Sequence, residues 1–174
     1  MENKPTSHIV AGTIVGAVAI ILFLVYYYTG LSFKRNFWGW IPALVTLGLI
    51  VFFVIQYGKA NNDRLTFGRL FNYGFKTTAI FALIMTLFTV LVVYLFPEYK
   101  EKFMEEMYNQ MDTNSNIPEE QKETALNMTE KFFTISMIGG ALFMNMLIGT
   151  IASLIGSGVA KKTPQTPFDQ QTLR

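Results

Sequence analysis

The stretch 66–97, TFGRLFNYGFKTTAIFALIMTLFTVLVVYLFP, decides the fold. From Thr77 to Phe96 it holds no charged residue, and about 20 such residues wound as a helix cross a bilayer core of roughly 30 Å. Ahead of that run Thr66 is a candidate helix cap. Phe67, Leu70, Phe71 and Gly74 then recur at the spacing of one helical face, with Arg69, Asn72, Tyr73 and Lys76 off it. The segment reads as a single helix that starts amphipathic at the membrane surface and stops at Pro97. At 1.5 Å per residue it reaches about 46 Å, so it must tilt or keep one end wet.

Outward from this segment, the windows 9–28, 38–57 and 132–156 also lack Asp, Glu, Lys and Arg. Hydrocarbon cannot satisfy backbone polar groups, so runs of this length are helices, and their unbroken apolarity does not suit barrel strands. Across the chain 51% of residues are hydrophobic and only 15% charged, which matches this reading. The expected class is an all-α integral membrane protein with four transmembrane helices in one domain, residues 1–160, followed by a disordered cytoplasmic tail, 161–174. The first run is longer than a signal-peptide core of about 7–15 residues, so it is expected to be a retained span.

The connection after residue 57 carries Lys59, Arg64, Arg69 and Lys76 against Asp63 alone. Lys and Arg favour cytoplasmic loops, which places this connection and both termini in the cytoplasm. These segments hold eight Lys and Arg, against six in the first and third loops, and the third loop also has nine carboxylates. Arg64, Arg69 and Lys76 are candidates for contact with anionic lipid or an acidic protein, although fixing topology accounts for such charges by itself. Residues 98–131 are expected to form an acidic, extracytoplasmic helical hairpin that extends spans three and four. Pro118 stands as the first residue of its second helix, with Phe103, Met107 and Met111 facing Ile117, Ala125, Met128 and Phe132.

Two sets of small residues mark helix contacts. Gly12 and Gly16 have GxxxG spacing in span one, and packing within the chain is preferred over a dimer face. In span four, Ala141, Asn145, Gly149 and Ser153 recur every four residues, widened by Gly139, Gly140, Ala152 and Gly156, and this face is expected to be buried against other helices. Asn145 is the strongest polar group near the middle of a span; an interhelical hydrogen bond is its plainest role, and a solute contact the sharper one.

The absence of cysteine excludes disulfides and thiolate chemistry, and His8 is the only histidine, which excludes a histidine pair within one chain. The carboxylates of 98–131 lack EF-hand spacing and are interspersed with lysines, so a solvated surface is preferred over a cation site. No catalytic residue, metal or cofactor is expected.

Thr66-Phe67-Gly68, then Phe71 and Gly74-Phe75, lead into an apolar span ending in Tyr94 and Pro97. With the order of spans and the acidic segment before a small-residue-rich last helix, this resembles domain of unknown function 4199, four-span membrane proteins of Bacteroidota. The resemblance implies the bacterial cytoplasmic (inner) membrane and no reaction. Two function classes follow: a structural or interaction component without catalytic activity, or a subunit of an oligomeric small-solute transporter or channel. The expected partners are the lipid bilayer and a membrane or periplasmic protein or a second copy of the chain, with no nucleic acid.

Overall fold

The computed structural model describes residues 5–31, 37–113 and 118–161. Within them the chain is all helical: α1 His8–Tyr28, a 3-10 turn Phe37–Trp40, α2 Ile41–Ala60, α3 Phe67–Leu95, α4 Pro97–Asp112 and α5 Glu119–Val159. α1, α3, α5 and the segment Phe37–Ala60 are each long and apolar enough to cross a membrane. The tail expected to be disordered lies, from residue 162 on, outside the described residues.

α3 touches each of the other four helices, whereas the backbones of α1 and α5 stay apart. It is therefore the middle member of the bundle. Its longest seam runs along α5, where small residues let the two backbones close. A Cβ added to Gly149 would collide with the Thr78 side chain, and one added to Gly74 would stand 2.8 Å from both Ser153 Cβ and Val54 Cγ2. Ser153 Oγ donates to Gly149 O at 2.7 Å, so its remaining capacity is to accept, and Thr78 Oγ1 at 3.3 Å is the donor across the seam. Gly156 continues the contact onto α2, with Val54 Cβ 2.9 Å from its missing Cβ. On the other side of α3, a Cβ added to Gly12 would stand 2.7 Å from Ile80 Cβ and Thr77 O, and one added to Gly16 2.9 Å from Ile84 Cγ2, so the GxxxG pair of span one packs within the chain.

Four details differ from the sequence reading. Thr66 occupies the cap position of α3, but its side chain makes no capping hydrogen bond. α4 is a separate helix rather than a prolongation of α3. Pro97 has no N–H to continue the ladder and its ring disfavours helical backbone at the preceding residue, so Phe96 sits at φ −122°, ψ 74°. Pro118 caps α5 instead of opening it, its carbonyl accepting from Gln121 and Lys122 N–H at 3.0 and 3.1 Å. Gly139 and Gly140 have open space where a Cβ would stand, so the small-residue face of α5 is packed only from Gly149 onward toward its end.

The turn between α2 and α3 is compact. Asn62 and Asp63 take left-handed backbone, φ 57° and 56°, a conformation Asn and Asp tolerate better than other side-chain-bearing residues. Asp63 N–H then donates to Gly58 O at 2.9 Å, which turns the chain directly into α3.

The glycine contacts predict opposite signs for one substitution. Gly149→Ala is expected to lower stability by about 1–3 kcal/mol through overpacking against Thr78, and Gly140→Ala to raise it by roughly 0.5–1 kcal/mol. Unfolding titrations in mixed micelles measure both, and equal effects at the two positions would refute the seam.

Candidate functional site

At the α4 end the bundle splays. A partly open cavity of about 310 Å³ lies there among all four spans and α4. α1 contributes Phe23 and Tyr26, α2 Thr46, α3 Phe81 and Met85, α4 Tyr99 and α5 Asn145. Asn145 stands one turn before Gly149, at the point where the tight α3–α5 seam gives way to this space. Among the described residues its amide has no hydrogen-bond partner, and it lines the cavity half-buried. Two of the other hydroxyls are committed: Thr46 Oγ1 donates to Pro42 O at 2.8 Å and Tyr26 OH to Trp38 O at 2.8 Å.

Tyr99 closes the cavity from α4. Its ring packs at 5.9 Å from Phe23 and 6.1 Å from Tyr27, and Lys102 Nζ stands 5.2 Å over the Tyr27 ring. Burial pushes the Tyr99 phenol above its ordinary value, and neighbouring Tyr27 adds to the shift, so it stays neutral at physiological pH. The cavity wall is therefore apolar with neutral polar groups and no charge. It suits a neutral or amphiphilic molecule and offers no acid or base for chemistry.

α4 runs antiparallel to the beginning of α5, forming a charged arm. Phe103 and Phe133 meet edge to face at 5.5 Å, one residue out of register from the expected Phe132, which is exposed as is Met128; Ile117 lies outside the described residues. Lys100 Nζ reaches Glu130 at 3.1 Å, an exposed pair of small energetic value. Lys122 is different, because its side chain is only 8% exposed while it reaches Asp112 at 3.1 Å and Glu119 at 3.2 Å. Hydrogen bonds to Asp112 and then Glu119 hold its ammonium above the usual lysine range. Among the described residues no group of three His, Cys, Asp or Glu side chains is placed to hold a metal ion.

The sequence candidates thus fall into three places. Gly12, Gly16, Gly149 and Ser153 are packing surfaces; Asn145 faces the cavity; Arg69 and Lys76 line a second cavity, of about 290 Å³, at the opposite end, and Arg64 does not. Sequence reasoning missed Tyr99, although it stands four residues before Phe103 on the same face of α4.

These helices define a multi-pass α-helical membrane protein in contact with lipid. The family model of "Protein of unknown function (DUF4199)" matches residues 11–162, and the chain belongs to that family. No curated protein and no solved structure matches it.

Two outcomes check this geometry. Asn145→Leu is expected to raise stability by about 1 kcal/mol in detergent unfolding, because an unpartnered amide is replaced by an apolar side chain of similar size; a loss would reveal a clamp. For the arm, the folded Lys122 pKa lies above the unfolded one, so its contribution is full below the ordinary lysine value of about 10.4 and is lost as pH rises through the raised one. Exchange protection over residues 98–112 and 119–131, corrected for the intrinsic base-catalysed rate, should fall above that range, and Lys122→Met should show the lowered protection already at neutral pH.

Proposed function

We propose that this protein is a non-catalytic interaction component of the bacterial cytoplasmic membrane. Both termini and the α2–α3 turn lie in the cytoplasm, and the α4–α5 arm projects outside, where it meets a protein partner. The observation that carries this reading is the bracing of the arm. Nine carboxylates and four lysines between residues 98 and 131 are presented on two helices held together by Lys122 and seated on the bundle by Tyr99. Pre-ordered charge of this kind lowers the entropy cost of association and steers an oppositely charged partner. The basic side of the molecule, with Lys59, Arg64, Arg69 and Lys76, supports the orientation.

A second reading, a subunit of an oligomeric transporter for neutral solutes, draws on the cavity and its Asn145 amide. Against passage through one chain, Ile50, Val54, Leu70, Thr77, Thr78 and Ser153 are fully buried between the cavity and the α2–α3 turn. Transport would require that layer to open.

The cysteine-free chain allows clean single-cysteine labelling. Cysteine at Asn109 should react with an impermeant maleimide on intact spheroplasts, and cysteine at Asn61 only after permeabilisation; the reverse pattern refutes the orientation. Photo-crosslinkers at exposed positions such as Glu101, Glu105 and Glu123 should then capture one discrete neighbour. A blank there, together with solute flux into proteoliposomes, would favour the transporter.

A further inference from the structure

The end of the bundle opposite α4 holds a polar cavity of about 290 Å³ where the start of α1, the end of α2 and the first turns of α3 converge. Arg69, Asn72 and Lys76 line it from one face of α3, His8 from the first turn of α1 and Asn61 from the end of α2. The cavity is built by contacts that hold these elements together. Tyr73 OH donates to Thr6 O at 2.9 Å, Tyr57 and Tyr73 stack with centroids 3.9 Å apart, and Asn61 Nδ2 donates to Tyr57 O at 2.8 Å. Among the described residues neither Arg69 nor Lys76 has a hydrogen bond or an ion pair, and no carboxylate lines the cavity.

Its depth follows from helix length. The 21 residues of α1 rise about 32 Å, close to the hydrocarbon thickness of roughly 30 Å, so His8 and Tyr28 mark the two headgroup boundaries. The Tyr73–Thr6 bond sets Tyr73 level with His8. Lys76 starts about one turn deeper, and its long side chain returns its ammonium toward that level. Below it on the same face, at i+7 and i+11, Leu83 and Leu87 are 55% and 58% exposed. Two unpaired cations therefore stand at phosphate depth directly above an apolar lipid-facing strip.

We propose that this cavity is a binding site for the headgroup phosphate of an anionic phospholipid, with the acyl chain laid along Leu83 and Leu87. Arg69 supplies the planar fork for two phosphate oxygens, Lys76 a point charge from below, and Asn72 and His8 further donors at the rim. The positive end of the α1 dipole lies beside His8 and adds to the same potential. A free phosphate ion would find the same donors, but it would leave the strip unused. The site is independent of which face of the membrane it occupies.

The test uses the full chain in nanodiscs of phosphatidylglycerol and phosphatidylethanolamine in equal parts, with retained lipid counted by native mass spectrometry. Wild type is expected to keep phosphatidylglycerol selectively. R69Q/K76Q should weaken that retention about thirtyfold, through loss of two charge-assisted hydrogen bonds. K76Q alone, at an exposed position outside the core, should weaken it about fivefold, and so reads the site even if the double variant folds poorly. K59Q/R64Q removes the same charge outside the cavity and should change retention less than about threefold. Equal retention of both lipids would overturn the proposal, as would equal losses from the two double variants. Inorganic phosphate should leave the bound lipid in place, and its displacement at millimolar concentration would assign the site to a soluble anion instead.

Discussion

The structure depends on one close approach: the backbones of α3 and α5 meet where Thr78 lies against Gly149 and Ser153. Between membrane helices there is little hydrophobic gain, because lipid is as apolar as leucine, so association rests on packing and hydrogen bonds. Removing side chains at Gly74, Gly149 and Gly156 supplies the packing, and the hydroxyls of Thr78 and Ser153 satisfy themselves there without a charge. α2 and α1 add to this pair through Val54 and through Gly12 and Gly16. The tight end gathers the polar cavity of Arg69 and Lys76, and the splayed end leaves the apolar one of Asn145. The two cavities differ in chemistry because Arg69 and Lys76 line one and no charged residue lines the other.

Much of this architecture was legible in the chain. The four spans follow from charge-free length, and Gly12, Gly16, Gly149 and Ser153 follow from small-residue spacing, because both signals are local. The break at Phe96–Pro97 was visible as a proline, but whether the following helix continues the axis or departs from it depends on what Tyr99 can pack against. Phe133 rather than Phe132 meets Phe103, and the register of α5 against α4 is a tertiary property that no local pattern encodes. Gly139 and Gly140 misled for a related reason: small residues permit a close approach without requiring one.

The sites were less legible than the fold. Asn145 could be singled out as a polar residue in an apolar run, yet its surroundings come from Phe23, Thr46, Met85 and Tyr99, on four other helices. Arg69 and Lys76 stood out as charges, while their separation from Arg64 depends on the direction in which the left-handed turn at Asn62 and Asp63 launches α3. Such convergence is a tertiary property, and only residues that share a helix face betray it in sequence. Arg69, Asn72 and Lys76 do so.

The proline break also has a mechanical meaning. α5 is one unbroken rod of 41 residues, about 62 Å long, whereas α3 and α4 are joined through a single non-helical residue. A push or pull on the arm therefore travels along α5 as a lever whose far end carries Gly149, Ser153 and Gly156, and it is taken up as bending at Phe96 on the α3 side. Load applied at the charged tip is delivered to the seam that holds the bundle shut.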